Sequence, residues 1–305
     1  MMENKKVDEC ILAFDIGGTS VKYGLWAEQK MVNKESFVTP KTWNALVDQF
    51  KQIRIQFEQQ SVKSINGIAV SLPGSVNTVT GLIAGTSAVH YLNGFNIKQE
   101  LSEQLDLPVS IQNDANCAAL AETWLGNANE ANLAALLVVG SGIGGAIVAN
   151  GKLLTGHEYF TGEFGYAVMN SAGDTLSELG SPVKMARRFN KLNPAEKNLS
   201  GEEVFNLADA GNALAQRYVN EFYQWLSIAA YNLLVSVNPD CLLIGGGISA
   251  RAGLISQVSQ RVSLLMKEHD ANMEVNIQAC YFQNDANLIG AIYQFAIEHD
   301  DTFEG

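Results

Sequence analysis

The same glycine hairpin occurs twice in this chain. Asp15-Ile16-Gly17-Gly18-Thr19 follows the apolar run Ile11-Leu12-Ala13-Phe14 and leads into Val21–Trp26. Gly140-Ser141-Gly142-Ile143-Gly144-Gly145 follows Leu136-Leu137-Val138-Val139 and leads into Ala146-Ile147-Val148-Ala149. Glycine tolerates positive φ and lets the backbone approach a ligand closely, so paired glycines can aim successive N–H groups at anionic oxygens. An ordinary β-hairpin explains either turn taken alone. Repetition of the same local order favours a phosphate-gripping device made twice. Two such clasps facing each other would hold a polyphosphate between two lobes.

At 305 residues and 47% hydrophobic, the chain can bury two cores of ordinary domain size. Lysine and arginine total 20 against 32 acidic residues, a formal net charge of -12. No basic cluster offers the electrostatic footprint of a nucleic-acid binder. An anionic substrate must therefore be held by local features such as backbone amides, helix N-termini or a metal. Cys10, Cys117, Cys241 and Cys280 are far apart and form no C-x-x-C pair, which argues against a disulfide framework and against zinc. Residues 1–9 are polar, and no apolar stretch reaches the roughly 18 residues of a membrane span. A cytoplasmic protein with no signal peptide and no membrane partner is expected.

Thr42–Gln60 carries Trp43, Leu46, Val47, Phe50, Ile53 and Phe57 at helical spacing. A buried strand, Ile65–Val70, ends in the turn Ser71-Leu72-Pro73-Gly74. A helix over Ile97–Leu105 precedes the strand Val109–Gln112, and a further helix is expected over Ala115–Leu125. The second hairpin closes on Asn150-Gly151, a type I′ signal. A long helix over Ala213–Val237 leads to the strand Cys241–Ile244, the run Gly245-Gly246-Gly247, and a helix from about Ser249. A strand over Val275–Tyr281 and a helix over Asn287–Glu298 complete the pattern. Strands alternate with helices, which is α/β architecture.

Gly140, Gly142 and Gly145 satisfy G-x-G-x-x-G, but a strand follows where a dinucleotide fold needs a helix, so that class is rejected. No P-loop is present around Gly151-Lys152 either. Asn113-Asp114 stands where a strand meets a helix: it can supply an N-cap, and it can place a carboxylate to take a proton from a hydroxyl. Glu163, between Gly162 and Gly165, is either a surface-loop residue or a carboxylate reaching sugar hydroxyls. Three glycines after a buried strand suggest close approach by adenine or ribose.

These motifs, in this order, resemble the ROK family of sugar kinases, within the actin-like, hexokinase-like ATPase fold. The resemblance covers nearly the whole chain. It implies two actin-like (ribonuclease H-like) lobes, with mixed sheets flanked by helices and a cleft between lobes. Residues 1–115 would form the first lobe, with 287–305 packing back on it, and 116–286 the second. Asp15, Gly17, Gly18, Thr19 and Lys22 are similar to the family's first phosphate motif. Gly140, Ser141, Gly142 and Gly144 resemble the second, and Gly245, Gly246 and Gly247 the adenosine motif. Asp114 matches the catalytic aspartate and Asn113 a sugar-binding asparagine. Glu163 matches a sugar-binding glutamate, and Asn93 and Gly94 lie in a segment, Ser87–Phe95, shared with zinc-free β-glucoside kinases of the family.

The departures also carry information. Where many members have Ile-Gly-His and a zinc-binding cysteine cluster, this chain has Phe164-Gly165-Tyr166 and no cysteine between 118 and 240. No structural zinc is expected. A second sugar-binding glutamate falls on Ser177, with Glu178 beside it as a candidate substitute. The resemblance implies ATP and Mg²⁺, Asp15 orienting the metal through water, and transfer to the primary 6-hydroxyl of a hexose or β-glucoside. An N-acetylmannosamine kinase or glucokinase is the alternative. A sugar sensor without turnover, or an acetate-kinase-like or phosphatase enzyme of the same superfold, represents other classes. The sugar and the oligomeric state stay open, a homodimer among the options.

Overall fold

The computed structural model describes residues 6–60, 64–84, 87, 89–193 and 198–299. They form two compact units. The first takes the chain to Glu130, residues 156–160 and the chain from Asp285 onward; the second takes Ala131–Thr155 and Thr161–Asn284.

In the first unit, β1 (Ile11–Ile16) lies between its antiparallel neighbour β2 (Ser20–Ala27) and the parallel β4 (Gly67–Leu72). Every residue of β1 and β4 is buried, which is why both read as apolar without alternation up to Asp15 and Ser71 near their ends. Beyond β2 lies β3 (Lys30–Val38), and the order is completed on the other side by β7 (Val109–Asn113). The charged edge strand β3 has no apolar alternation and was not anticipated. Helix α1 (Trp43–Gln60) buries Leu46, Val47, Phe50, Ile53 and Phe57, with Phe50 stacked on Phe14 at a centroid distance of 3.6 Å. A small pair, β5 (Ser75–Val76) and β6 (Ile83–Ala84), precedes α2 (Ile97–Leu105). Helix α3 (Asp114–Trp124) leaves the end of β7 directly.

The second unit repeats the plan. Its sheet has β8 (Leu133–Val139) at the centre, antiparallel β9 (Ile143–Ala149) and β10 (Lys152–Leu153) on one side, and parallel β11 (Cys241–Gly245) and β12 (Ile277–Ala279) on the other. Helices α4 (Leu176–Gly180), α5 (Pro182–Leu192) and α6 (Gly201–Asp209) surround the long α7 (Ala213–Val237), and α8 (Leu254–Glu268) follows β11. Phe189, Phe205, Phe222 and Leu226 centre this core. Two five-stranded sheets with the same order and the same parallel and antiparallel neighbours are the mixed, helix-flanked sheets implied for each lobe.

The last helix, α9 (Ala286–His299), belongs to the first unit. A Cβ on Gly290 would stand 1.7 Å from the carbonyl oxygen of Cys117, so α9 and α3 meet backbone to backbone. That contact keeps α3 in the first unit, which therefore runs to Glu130 and not to residue 115. Residues 300–305 of the expected 287–305 segment lie outside the described residues. The expected helix at Ser249 is a 3-10 turn over Gly247–Ala250, and α8 begins only at Leu254, after Gly253 at φ 81°. The last strand spans Ile277–Ala279, shorter than the expected 275–281. Among the described residues no helix is long and apolar enough to cross a membrane.

Candidate active site

Asp15 and Asp114 sit at the same edge of the first unit's sheet. In register, Asp15 on β1 pairs with Ser71 on β4, and Leu72 on β4 with Asn113 on β7, so Asp15 near the end of β1 and Asp114 just past the end of β7 stand at the carboxyl ends of parallel strands with β4 between them. Ligands of open α/β sheets gather at that edge. Asp15 is only 8% exposed, and its Oδ1 accepts from the Ser71 hydroxyl at 2.8 Å and the Asn287 amide at 3.0 Å. The Lys22 ammonium is 4.0 Å from its Oδ2, on the paired position of β2. The Cys117 thiol is fully buried beside them. Burial pushes its pKa well up, and the charges of Asp15 and Asp114 add to the rise. It is an inert thiol in an acidic surround.

Asn113 caps α3: its Oδ1 accepts from the Asn116 N–H at 3.0 Å, while its Nδ2 donates to Gly74 O at 2.8 Å and Asp114 Oδ1 at 2.9 Å. Asp114 is therefore the first helical residue, and its Oδ1 also accepts from the Ala115 N–H at 2.8 Å. A carboxylate in a helix's first turn is favoured in its charged form by the macrodipole. Asn93 closes the 3-10 turn His90–Leu92, and its buried Oδ1 has no partner among the described residues. An unmet buried acceptor is costly unless something donates to it. Gly94 follows at φ 91°, with nothing within 4 Å of a Cβ placed there.

The turn Gly17-Gly18-Thr19 is held from behind. Thr39 Oγ1 donates to Gly17 O at 2.6 Å, and the Thr39 N–H donates to Thr19 O at 3.1 Å. The second hairpin has the same arrangement with a different residue: Ser181 Oγ, at the N-cap of α5, lies 2.8 Å from Gly140 O and 3.0 Å from Ser141 O. In both turns a hydroxyl engages the carbonyl side. Neither Thr39 nor Ser181 was singled out in the sequence, although Ser181-Pro182 is a recognisable helix start.

The glycines of these turns do not have the conformation expected for them. Gly17, Gly18, Gly140, Gly142 and Gly144 all lie outside the positive-φ region, and of the adenosine-motif glycines only Gly246 enters it, at 85°. Gly246 is needed because a Cβ there would stand 2.3 Å from Val139 O, and Gly245 because Cys280 Sγ lies 2.8 Å from its Cβ position. Chain packing thus accounts for two of the three glycines. Gly247 alone opens onto free space. It lines a cavity of about 580 Å³ together with Gly140, Ser141, Phe205, Glu202 and Arg251. Arg251 forms one wall, its guanidinium 4.3 Å from the Phe205 ring centroid and its Nη2 bonded to the Asp209 carboxylate at 2.7 and 3.0 Å. The volume suits a nucleoside-sized ligand.

Glu163 reaches its place through glycines. A Cβ on Gly162 would be 2.4 Å from Gly145 O, and one on Gly165 would be 2.0 Å from Ile143 O, so the loop lies directly on β9. Burial raises the pKa of the Glu163 carboxyl. Glu178 is placed otherwise. Its carboxylate closes a capping box, accepting from the Thr175 N–H at 2.8 Å and hydroxyl at 3.1 Å, and those bonds hold its pKa down. Ser177 accepts from the Ile143 N–H at 2.9 Å. The candidate sugar ligand at 178 is thus committed to its own helix start, which Thr-x-x-Glu spacing announces.

Among the described residues no group of three or more His, Cys, Asp or Glu could hold a metal by itself. A single buried carboxylate such as Asp15 fits Mg²⁺, which keeps most of its waters and binds through one or two carboxylates plus phosphate.

The ROK family profile matches residues 11–297. A β-glucoside kinase of Listeria innocua is 34% identical over 302 residues, covering 95% of this chain and 98% of that protein. An N-acetyl-D-glucosamine kinase of Salmonella paratyphi B is 32% identical over 270 residues, covering 82% and 88%. Among solved structures, a ROK family protein of Streptococcus pneumoniae in complex with sucrose superposes with a TM-score of 0.85 at 33% identity, covering 95% and 98%.

Proposed function

This chain belongs to the ROK family and is a carbohydrate kinase; from that premise we propose that it transfers the γ-phosphoryl group of ATP, with Mg²⁺, to the primary 6-hydroxyl of a hexose or β-glucoside. The observation that carries the proposal is the pairing of Asp15 and Asp114 at one sheet edge, each held by buried or capping hydrogen bonds. Asp114 would act as general base toward the sugar hydroxyl, a role worth typically 10² to 10⁴ in rate. In the first unit, Asn113, the unmet Asn93 Oδ1 and Gly94 would hold the sugar's other hydroxyls, and Glu163 is the second unit's candidate for a sugar hydroxyl. In the second unit, Gly140, Ser141 and Gly247 line the cavity that would take the nucleoside and the start of its phosphate chain. In the first unit, the amides of Gly17, Gly18 and Thr19, with Lys22, would meet phosphate oxygens. Asp15 would orient the metal through water, and the metal would neutralise phosphate charge, the main need in phosphoryl transfer.

The Listeria relative supports a β-glucoside as acceptor. The Salmonella relative supports the alternative, an amino-sugar derivative. Coupled detection of ADP with glucose, cellobiose, gentiobiose, N-acetylmannosamine and fructose, followed by mass analysis of the product, separates them. Sugar-dependent ADP release with a 6-phosphorylated glucoside is the expected result. ADP release without sugar dependence, or sugar binding without ADP release, would overturn it.

A further inference from the structure

Behind Asp114 runs a line of buried amides whose direction is dictated at both ends. Gln112 is 3% exposed and Gln294 8%. Glu298 Oε1 accepts from Gln294 Nε2 at 2.8 Å, Gln294 Oε1 accepts from Gln112 Nε2 at 3.1 Å, and Gln112 Oε1 accepts from the Asn113 N–H at 2.8 Å and Asn116 Nδ2 at 3.1 Å. A carboxylate can only accept and a peptide N–H can only donate, so neither glutamine can turn its amide over without leaving two groups unmet. Lys98 on α2 fixes the far end, its Nζ 2.6 Å from Glu298 Oε2. The near end is the Asn113 cap, whose Nδ2 touches Asp114 Oδ1. Two turns before Gln294 on α9, Asn287 donates to Asp15.

We propose that α9 is a positioning element for both acids, with Gln294 setting the Asn113–Asp114 turn through Gln112 and Asn287 setting Asp15. Gln294 touches no substrate. It acts by keeping the base's turn in one place, and small displacements of a reacting group cost rate steeply. The proposal rests on Asp114 as the base, and its test includes a measurement that does not depend on activity.

Gln294→Met keeps the side chain's length and removes both hydrogen bonds; Ile292→Val loosens the same helix at a buried apolar position without touching the amides. The expected result for Gln294→Met is a kcat lower by roughly tenfold or more, KM for sugar and ATP within about threefold, and faster amide hydrogen exchange at 113–116. Ile292→Val should lower Tm while leaving kcat and that exchange near wild type. Unchanged exchange at 113–116 in Gln294→Met, or faster exchange with unchanged kcat, overturns the positioning role. So does an equal loss of kcat in both variants. A wild-type protein that phosphorylates no sugar would instead refute the proposed activity, while the exchange measurement would still decide whether α9 holds the turn.

Discussion

The two hairpins share a sheet order and differ in what they carry. The first ends its central strand in a carboxylate, faces it with a lysine, and surrounds it with Ser71 and Asn287. The second has no charged side chain in its turn; it presents backbone, a bare cavity wall at Gly140 and Gly247, and a loop bearing Glu163 laid on glycines. Two like sheets thus carry different groups. On the proposed roles, side chains handle charge and protons in the first unit, and main chain and open space admit a ligand in the second.

If that division is right, changes at the first unit's acids should act on turnover and changes at the second unit's cavity on nucleotide affinity. The largest effect should come from Asp114→Asn, which keeps the shape and removes the base: kcat should fall by at least about 10² with both KM values within a few-fold. A fall in ATP affinity of that size, with kcat intact, would reverse the assignment of the two units. Next comes Gly247→Val, which projects a side chain into open space beside the cavity; the KM for ATP should rise about tenfold, equivalent to ~1.4 kcal/mol, with Tm near wild type. An unchanged KM would leave that glycine without a role in binding.

Gly290→Ala tests the first unit's scaffold separately from its chemistry. The new methyl meets the Cys117 carbonyl, and overpacking of this kind costs about 1–3 kcal/mol, read as a lower Tm in thermal unfolding. Retention of wild-type Tm would mean that α3 and α9 can separate freely.

The smallest expected effect is at Glu163. Its carboxyl takes up a proton at higher pH than an exposed glutamate because burial raises its pKa. On lowering the pH, sugar KM should therefore rise while ordinary carboxylates are still charged, and Glu163→Gln should flatten that step. Folded protein also binds this proton more tightly than unfolded chain does, so the contribution to stability falls as pH rises from the unfolded pKa to the raised one, and the glutamine variant should lack that slope. A sugar KM with the same pH profile in both proteins would remove Glu163 from the site.

What the sequence disclosed depended on how local the cause was. Asn150-Gly151 announced its turn because both residues take positive φ, at 50° and 72°. The matching turn between β2 and β3 uses Glu28 and Gln29, at 52° and 61°, residues with no such preference, and that strand went unseen. Asp15, Asn113 and Asp114 stood out because strand, turn and helix start are adjacent in the chain. Their supports did not: Asn287 lies 272 residues from Asp15, and Gln294 lies 182 from Gln112. The glycines were visible, yet their cause was misjudged. Gly17, Gly145, Gly245 and Gly246 yield room to a neighbouring carbonyl or sulfur, whereas Gly94, Gly140 and Gly247 have nothing within 4 Å of the Cβ position.

The route of the chain has a bearing on biosynthesis. Residues 286–299 emerge from the ribosome after the whole second unit, yet they complete the first. Until they arrive, Gln112 and Asp15 lack the amides that orient them, and the closure of so long a loop is slow compared with local folding. A partly made chain can thus assemble the second unit and its cavity before Asp15 and Gln112 are oriented, and the first unit is complete only once residues 286–299 have been made.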